Sequence, residues 1–211
     1  LEVQIRRKIM SFLESLANRR SIYALGDAVD VEKATATITE AVKLSPSAFN
    51  SQTSRVLILA GAEHKKLWQE IIATDLKAEM DRQGVPESAW EGTKAKLDSF
   101  AAAGLTALFF EDTDVVKGLQ EQFPLYAENF PVWSEQSTGI ASVNAWVALS
   151  ELGLGANLQH YNPVINATVA KTYDLPASWN LRGQLVVGSP EQEVGPKEFM
   201  ADEDRFKVFG A

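Results

Sequence analysis

The sequence predicts a single domain of the α+β or α/β class, and three observations support this. Segments with apolar residues at helical spacing alternate with short apolar runs that end at glycine, proline or charged residues. A length of 211 residues suits one domain of ordinary size. The same length, with 45% hydrophobic residues, is enough to bury a substantial core, so neither a disulfide nor a structural metal is needed to hold it together.

The first predicted elements are two helices and a strand. Ser11 and Glu14 have the spacing of a capping box, which starts an amphipathic helix. Asp30 is a candidate cap for a second helix, which ends at residues 45–46 because proline lacks a backbone donor and disfavours helix at the residue before it. Residues 56–60 are an apolar run followed by glycine, which is typical of a buried strand.

The rest of the chain continues this alternation. Residues 63–82 and 90–100 have helical apolar patterns, and a glycine and a proline separate them. Residues 105–110 and 183–188 are predicted strands, since each is a short apolar run with charged residues or a turn signal after it. Residues 205–209 alternate basic and apolar side chains, which predicts a short strand.

Two neighbouring segments have unusual compositions. Residues 118–134 are rich in aromatic residues and interrupted by prolines, which predicts an irregular segment that covers the domain. Residues 138–152 form a helix that is apolar on nearly all sides. Such a helix must be covered all round, so in a domain of this size we expect a second subunit to cover one side.

Composition and charge exclude several classes of protein. With no cysteine, disulfide scaffolds, iron–sulfur clusters and thiol catalysis are excluded. A net charge of −8 argues against a nucleic-acid binder with a broad basic surface. The longest apolar run, residues 105–110, is far shorter than the roughly 20 residues of a membrane span. The absence of cysteine and of a secretory signal pattern favours a cytoplasmic location.

The domain is expected to span residues 11–211. Residues 1–9 precede Met10 and the first capping box. They are interpreted either as a remnant of an expression vector or as a natural N-terminal extension.

Two polar segments could bind a ligand. Arg19, Arg20 and Ser21 follow the first helix, and two guanidinium groups with a hydroxyl suit a phosphate. The alternative is a solvated basic helix end that is favoured by the helix dipole. Residues 45–52 carry amide and hydroxyl side chains that suit the edge of a heterocycle, or that form an ordinary polar turn.

A third segment contains the sequence Gly153-Leu-Gly155. It follows a helix instead of a strand and lacks the third glycine, so the Rossmann dinucleotide motif is rejected. His64 and His160 are the two histidines of the chain, and no ligand spacing supports a metal site around them. His64 is expected to lie on the surface.

Taken together, these segments resemble the nitroreductase family of FMN-dependent oxidoreductases. Arg19-Arg20-Ser21 resembles the family's early Arg-Arg-Ser element, and residues 46–52 resemble its Pro-Ser-x-x-Asn-x-Gln loop. Residues 136–139, the long apolar helix and Gly153-Leu-Gly155 follow in the family's order. Thr53-Ser54-Arg55 stands where many relatives have Pro-Trp, and this is similar to a short branch typified by fungal fatty-acid-repression proteins and bacterial nitroreductase-like proteins.

The resemblance implies an α+β fold of the nitroreductase type, in which helices flank a central sheet and two chains form an intertwined homodimer. FMN would lie in two sites at the subunit interface. The implied cofactor-binding residues are Arg19, Arg20, Ser21, Arg205 and Lys207 for the phosphate and ribityl chain, Ser47, Asn50 and Gln52 for the ring or ribityl chain, and Leu158, Gln159 and His160 beside the reactive side of the flavin. No catalytic side chain and no metal are expected, because FMN carries the chemistry.

The implied function is an FMN-dependent NAD(P)H oxidoreductase. In a ping-pong cycle, NADH or NADPH would reduce the flavin, and a nitroaromatic, a quinone or a similar planar oxidant would then take the hydride. Residues 123–133 are interpreted as a lid or wall of the acceptor pocket, or as ordinary core filling. The alternative function is a flavin-binding redox sensor with little turnover. A dimer without cofactor is disfavoured because it would leave the basic residues without a shared anion.

Overall fold

A computed structural model describes residues 11–210 of the chain. The two interpretations of residues 1–9 lie outside the described residues. No helix between residues 11 and 210 is long and apolar enough to cross a membrane.

The described residues contain a five-stranded sheet in which every paired strand is antiparallel. Its central strand β5 pairs with β3, with β4 and, near its end, with β1, while β2 lies outside β3. The strands are β1 (Leu25–Gly26), β2 (Ser54–Ala60), β3 (Leu105–Asp112), β4 (Gly155–Gln159) and β5 (Trp179–Pro190). Because an antiparallel sheet with flanking helices defines the α+β class, the α/β alternative is excluded.

Helices cover both faces of this sheet. They are α1 (Phe12–Asn18), α2 (Val31–Leu44), α3 (Gly61–Lys66), α4 (Ala73–Arg82), α5 (Trp90–Ala101), α6 (Thr113–Gln122), α7 (Phe130–Glu151), α8 (Asn166–Thr172) and α9 (Asp202–Arg205). A π-helical segment, Leu67–Ile72, joins α3 to α4. Short 3₁₀ turns lie at Ala48–Asn50, Glu87–Ala89 and Pro124–Tyr126.

The predicted helix caps are present. The side chain of Glu14 accepts a hydrogen bond from Ser11 N at 2.7 Å, and Ser11 Oγ accepts one from Glu14 N at 3.3 Å. Asp30 caps α2 by accepting from Lys33 N at 3.0 Å, and α2 ends with Ser45 as its C-cap. These local signals were therefore sufficient to locate the two helices.

The core has two layers because the side chains of β3 alternate between the two faces of the sheet. Leu108 and Phe110 face a cluster formed with Trp68 and Phe100. On the other face, Ala107 and Phe109 belong to a cluster that includes residues of α2 and α7. Burial on both faces explains why residues 105–110 are apolar apart from Thr106.

Two predictions about helix and strand were wrong. Residues 118–134 are mostly helical, since α6 extends to Gln122 and α7 begins at Phe130, eight residues before the predicted helix. Pro131 in the first turn is compatible with this start, because no N–H is required there. Residues 205–209 form no strand: acidic residues at 202–204 favour a short helical turn, and none of the strands between residues 11 and 210 pairs with the tail.

The prediction that His64 lies on the surface was also wrong. Its side chain is buried, with Nδ1 2.9 Å from Thr106 Oγ1 and Nε2 3.1 Å from the carbonyl oxygen of Phe100. Trp68 Nε1 donates to the same threonine oxygen at 2.8 Å. Desolvation by burial lowers the pKa of His64, so the ring is neutral near pH 7.

Candidate functional site

The predicted site segments lie at successive positions along α7. The loop at residues 46–52 lies against Trp133 and Ile140, in the first half of the helix. Arg19 lies against Trp146, near the other end. Because an α-helix rises about 1.5 Å per residue, Trp133 and Trp146 are about 20 Å apart along the axis. The two halves of the predicted site are therefore separated within one chain.

The arginine segment is joined to the sheet by backbone contacts. Ser21 forms a parallel bridge with Ala156 at the start of β4, and Ile22 N donates to Ala156 O at 2.9 Å. Arg19 is the C-cap of α1, and its guanidinium lies 4.5 Å from the ring centre of Trp146. Burial and then the charge of Arg20 lower the pKa of Arg19.

A cationic pocket of about 330 Å³ lies between α1 and the C-terminal tail. Arg19, Lys197 and Arg205 line it together with apolar side chains of α1 and Phe199. The structure thus brings together two of the residues assigned to the FMN phosphate, Arg19 and Arg205. Lys197 was missed by sequence reasoning, because only the fold brings the middle of the tail against α1.

The other basic residues of this group have different surroundings. Arg20 Nη1 donates to the carbonyl oxygen of Gly195 at 2.8 Å, which holds the tail beside the arginine segment. Lys207 Nζ donates to the carbonyl oxygen of Glu203 at 2.8 Å and does not line the cationic pocket.

The loop after α2 has a strained backbone. Phe49, Asn50 and Gln52 have positive φ angles of 57°, 52° and 48°, in the left-handed region that favours glycine. Ser47 Oγ accepts a hydrogen bond from Gln52 N at 2.9 Å and closes the turn. Asn50 and Gln52 are exposed, so their amide groups are accessible to a ligand.

An aromatic pocket of about 410 Å³ opens beside this loop. Ser47, Phe49, Trp133 and Ile140 are among its lining residues. The rings of Phe49 and Trp133 lie 6.0 Å apart and within 20° of parallel. Its volume and mainly apolar lining suit a planar organic molecule.

The segment at residues 123–133 combines the two interpretations made from sequence. Trp133 lines the aromatic pocket as a wall, whereas Phe130 is buried in the interior. Phe123 and Tyr126 support the ring of Phe49 at 5.1 and 5.9 Å.

The third predicted segment borders a smaller pocket of about 130 Å³. Leu158 and His160 line it, together with residues of α7 and β5. Gln159 lies between them in sequence, but its side chain is buried and its Nε2 donates to Asn157 Oδ1 at 2.8 Å. Contact between Gln159 and a ligand in this pocket would therefore involve its backbone.

An ion pair between the buried Glu111 and the half-buried Arg182 lies beside this smaller pocket and was not predicted. Glu111 Oε1 accepts hydrogen bonds from Arg182 Nε at 2.9 Å and Asn180 Nδ2 at 3.1 Å. Arg182 lines the pocket with His160. Glu111 Oε2 is buried without a partner among the described residues. In the sequence, Glu111 is one of the charged residues that follow the predicted strand at residues 105–110, and this pattern does not indicate an ion pair.

Comparisons with known proteins give the chain its family. The model described as "Nitroreductase family" matches residues 16–189. The chain belongs to the nitroreductase family. It is 62% identical to nitroreductase CinD from Lactococcus lactis, solved in complex with chloramphenicol, nicotinic acid and 4-nitrophenol. The chloramphenicol complex gives a TM-score of 0.87, and the match covers 94% of this chain and 100% of CinD.

More distant relatives agree with this assignment. Nitroreductase FRM2 from Saccharomyces cerevisiae is 32% identical over 194 residues, which cover 90% of this chain and 93% of FRM2. A Desulfovibrio desulfuricans protein solved in complex with FMN is 22% identical with a TM-score of 0.66, covers 93% of this chain and 96% of its own, and supports the fold alone. The resemblance to a nitroreductase branch with fungal and bacterial members, and the α+β nitroreductase fold, are both confirmed.

Proposed function

We propose that this chain is an FMN-dependent NAD(P)H oxidoreductase that reduces nitroaromatics, quinones or similar planar acceptors by a ping-pong mechanism. The observation that carries the proposal is the cationic pocket, where Arg19 and Arg205 converge in a chain with a net charge of −8. The pKa of Arg19 is lowered by burial and by Arg20, and a bound anion would stabilise its charged guanidinium.

The side chains of the site carry the charges and hydrogen-bonding groups that FMN binding requires. Arg19 and Arg205 would bind the phosphate through charge-assisted hydrogen bonds, with Lys197 adding a third cation. Asn50 and Gln52 offer donors and acceptors in one amide each, as the edge of a flavin ring requires. When bound, FMN supplies the redox chemistry, and the chain binds and orients it.

A homodimer would complete this site. Within one chain, the loop and the arginine segment lie apart along α7. The exposed face of α7 carries apolar side chains, among them Ile140 and Val143, which are 38% and 37% exposed. A symmetric partner on this face would cover them and would bring the loop of one protomer towards the arginine segment of the other.

The aromatic pocket would hold the nicotinamide and the acceptor in turn. Phe49 and Trp133 present flat apolar surfaces on which a planar ring can stack. CinD, which binds the nitroaromatic compounds chloramphenicol and 4-nitrophenol, supports this class of acceptor. The open pocket favours an enzyme over the redox sensor, since a sensor needs no site for a second substrate.

The proposal is tested by an anaerobic absorption spectrum of the flavin-loaded protein, before and after one equivalent of NADPH or NADH. We expect the flavin absorbance to bleach rapidly with one of the two and to recover when 4-nitrophenol or a quinone is added. A flavin that stays oxidised would support the sensor. A chain that takes up no FMN would contradict both functions.

A further inference from the structure

The cofactor loop, residues 46–52, needs support from outside itself. Phe49, Asn50 and Gln52 adopt left-handed conformations, and Asp174 is the one other non-glycine residue that does so between residues 11 and 210. Such conformations are sterically costly for residues with a Cβ atom and persist where surrounding contacts determine them. The contacts that hold this loop therefore decide whether its amide groups are correctly placed.

Arg55 makes the closest of these contacts. Its Nη1 donates to the carbonyl oxygen of Gln52 at 2.7 Å and to that of Ser54 at 3.1 Å. Its Nη2 donates to Asp112 Oδ2 at 2.9 Å. The side chains are 29% and 14% exposed, so the ion pair is partly shielded from water. The guanidinium of Arg55 therefore links the backbone of Gln52 to Asp112 at the end of β3.

Asp112 extends this connection to α6. Its backbone N donates to the carbonyl oxygen of Thr53 at 2.9 Å, directly after the loop. Its Oδ1 accepts from Asp114 N at 3.2 Å and caps α6. Helix α6 leads to the aromatic segment that packs against Phe49. The loop is therefore held at Gln52 by charge and at Phe49 by aromatic contacts.

We propose that Arg55 is a positioning residue for cofactor binding. Arg55 holds Gln52 in its left-handed conformation, and so aligns Ser47, Asn50 and Gln52 with FMN. The inference rests on the proposed function, because it assigns the loop to the cofactor. The inference also gives a reason for the arginine in Thr53-Ser54-Arg55: its side chain supplies the hydrogen bond that holds the turn at Gln52.

The test compares Arg55→Gln, Arg55→Lys and Asp112→Asn in the full chain. Asparagine caps helices as well as aspartate does, so Asp112→Asn removes the charge that faces Arg55 but keeps the cap of α6. Lys117→Gln is the matched control, because Lys117 is an exposed cation on α6 that pairs with Asp114. The measurements are the dissociation constant of FMN, the melting temperature, and amide hydrogen exchange at residues 47–52 without FMN.

We expect Arg55→Gln to weaken FMN binding by about tenfold, as for the loss of charge-assisted hydrogen bonds, and to speed exchange in the loop. Arg55→Lys should recover part of the affinity, since the single ammonium nitrogen cannot occupy the separate positions of Nη1 and Nη2. Asp112→Asn should lie between wild type and Arg55→Gln, and Lys117→Gln should match wild type. Unchanged FMN affinity in Arg55→Gln, with or without a lower melting temperature, would overturn the inference. A wild-type chain that binds no FMN would instead overturn the proposed function, and with it the inference.

Discussion

The arginine segment and the loop at residues 46–52 differ in charge and in backbone conformation. Around Arg19, cations from α1 and the C-terminal tail converge, and Arg20 holds the tail through a hydrogen bond to Gly195. The loop at residues 46–52 is net neutral and strained, and Arg55 and the aromatic segment hold it on two sides. Under the proposed function, the first region would supply charge for an anion, whereas the second would supply a fixed shape for a ring.

The largest expected effect comes from removing the charges of the first region. Arg19→Gln with Arg205→Gln should weaken FMN binding by at least about 100-fold, because each charge-assisted contact is worth about 1.5–3 kcal/mol. Titrating the apo protein with FMN at low and at high salt checks this. Wild-type affinity should fall with salt, and that of the double variant should fall less steeply, because of these three cations only Lys197 remains. Equal affinity in the two proteins would remove the cationic pocket from the phosphate role.

A smaller effect is expected from the second region. Phe49→Ala removes ring contacts worth about 0.5–1.5 kcal/mol each, so the free energy of unfolding should fall by about 1–3 kcal/mol. The KM for a nitroaromatic acceptor should rise severalfold, because one wall of the aromatic pocket is lost. Leu125→Ala is the control, since Leu125 is 91% exposed in the same segment. If Phe49→Ala left both KM and stability unchanged, the loop would not depend on this ring.

The smallest effect on FMN binding is expected from a substitution of His64, which lies on the opposite face of the sheet. Because the pKa of His64 is lowered in the folded protein, the unfolded state binds more protons below about pH 6.5. Stability should therefore fall with decreasing pH, by at most about 1.4 kcal/mol per pH unit. Thermal unfolding from pH 7.5 to 5 should show a flatter pH profile for His64→Gln, with FMN affinity at pH 7.5 unchanged. A wild-type profile in this variant would assign the pH dependence to other groups.

Local sequence signals predicted the elements whose residues follow simple patterns. Capped helices and apolar strands were located because their caps and runs are contiguous. Strand β4 was missed because Asn157 and Gln159 are polar yet buried, where Asn157 Nδ2 donates to Ile22 O and Gln159 Nε2 to Asn157 Oδ1. His64 was wrongly predicted to lie on the surface, because Thr106 and Phe100, which bind its buried ring, are distant from it in sequence.

The candidate site, too, was predictable from local sequence only in part. Motif resemblance gave Arg19 and the loop residues as candidates, because they occur in short recognisable segments. It did not point to Lys197, the Glu111–Arg182 pair, or the contact of Arg55 with Asp112. Each of these depends on a contact between segments far apart in the chain, which no local pattern encodes.

The most direct test concerns how the two regions combine. One protomer carries Arg19→Gln with Arg205→Gln, its differently tagged partner carries Asn50→Ala with Gln52→Ala, and bound FMN is measured for the purified heterodimer and for both variant homodimers. If a site combines the arginine segment of one protomer with the loop of the other, the heterodimer contains one intact site and should regain one FMN. A heterodimer that binds FMN no better than the variant homodimers would contradict a site shared between protomers.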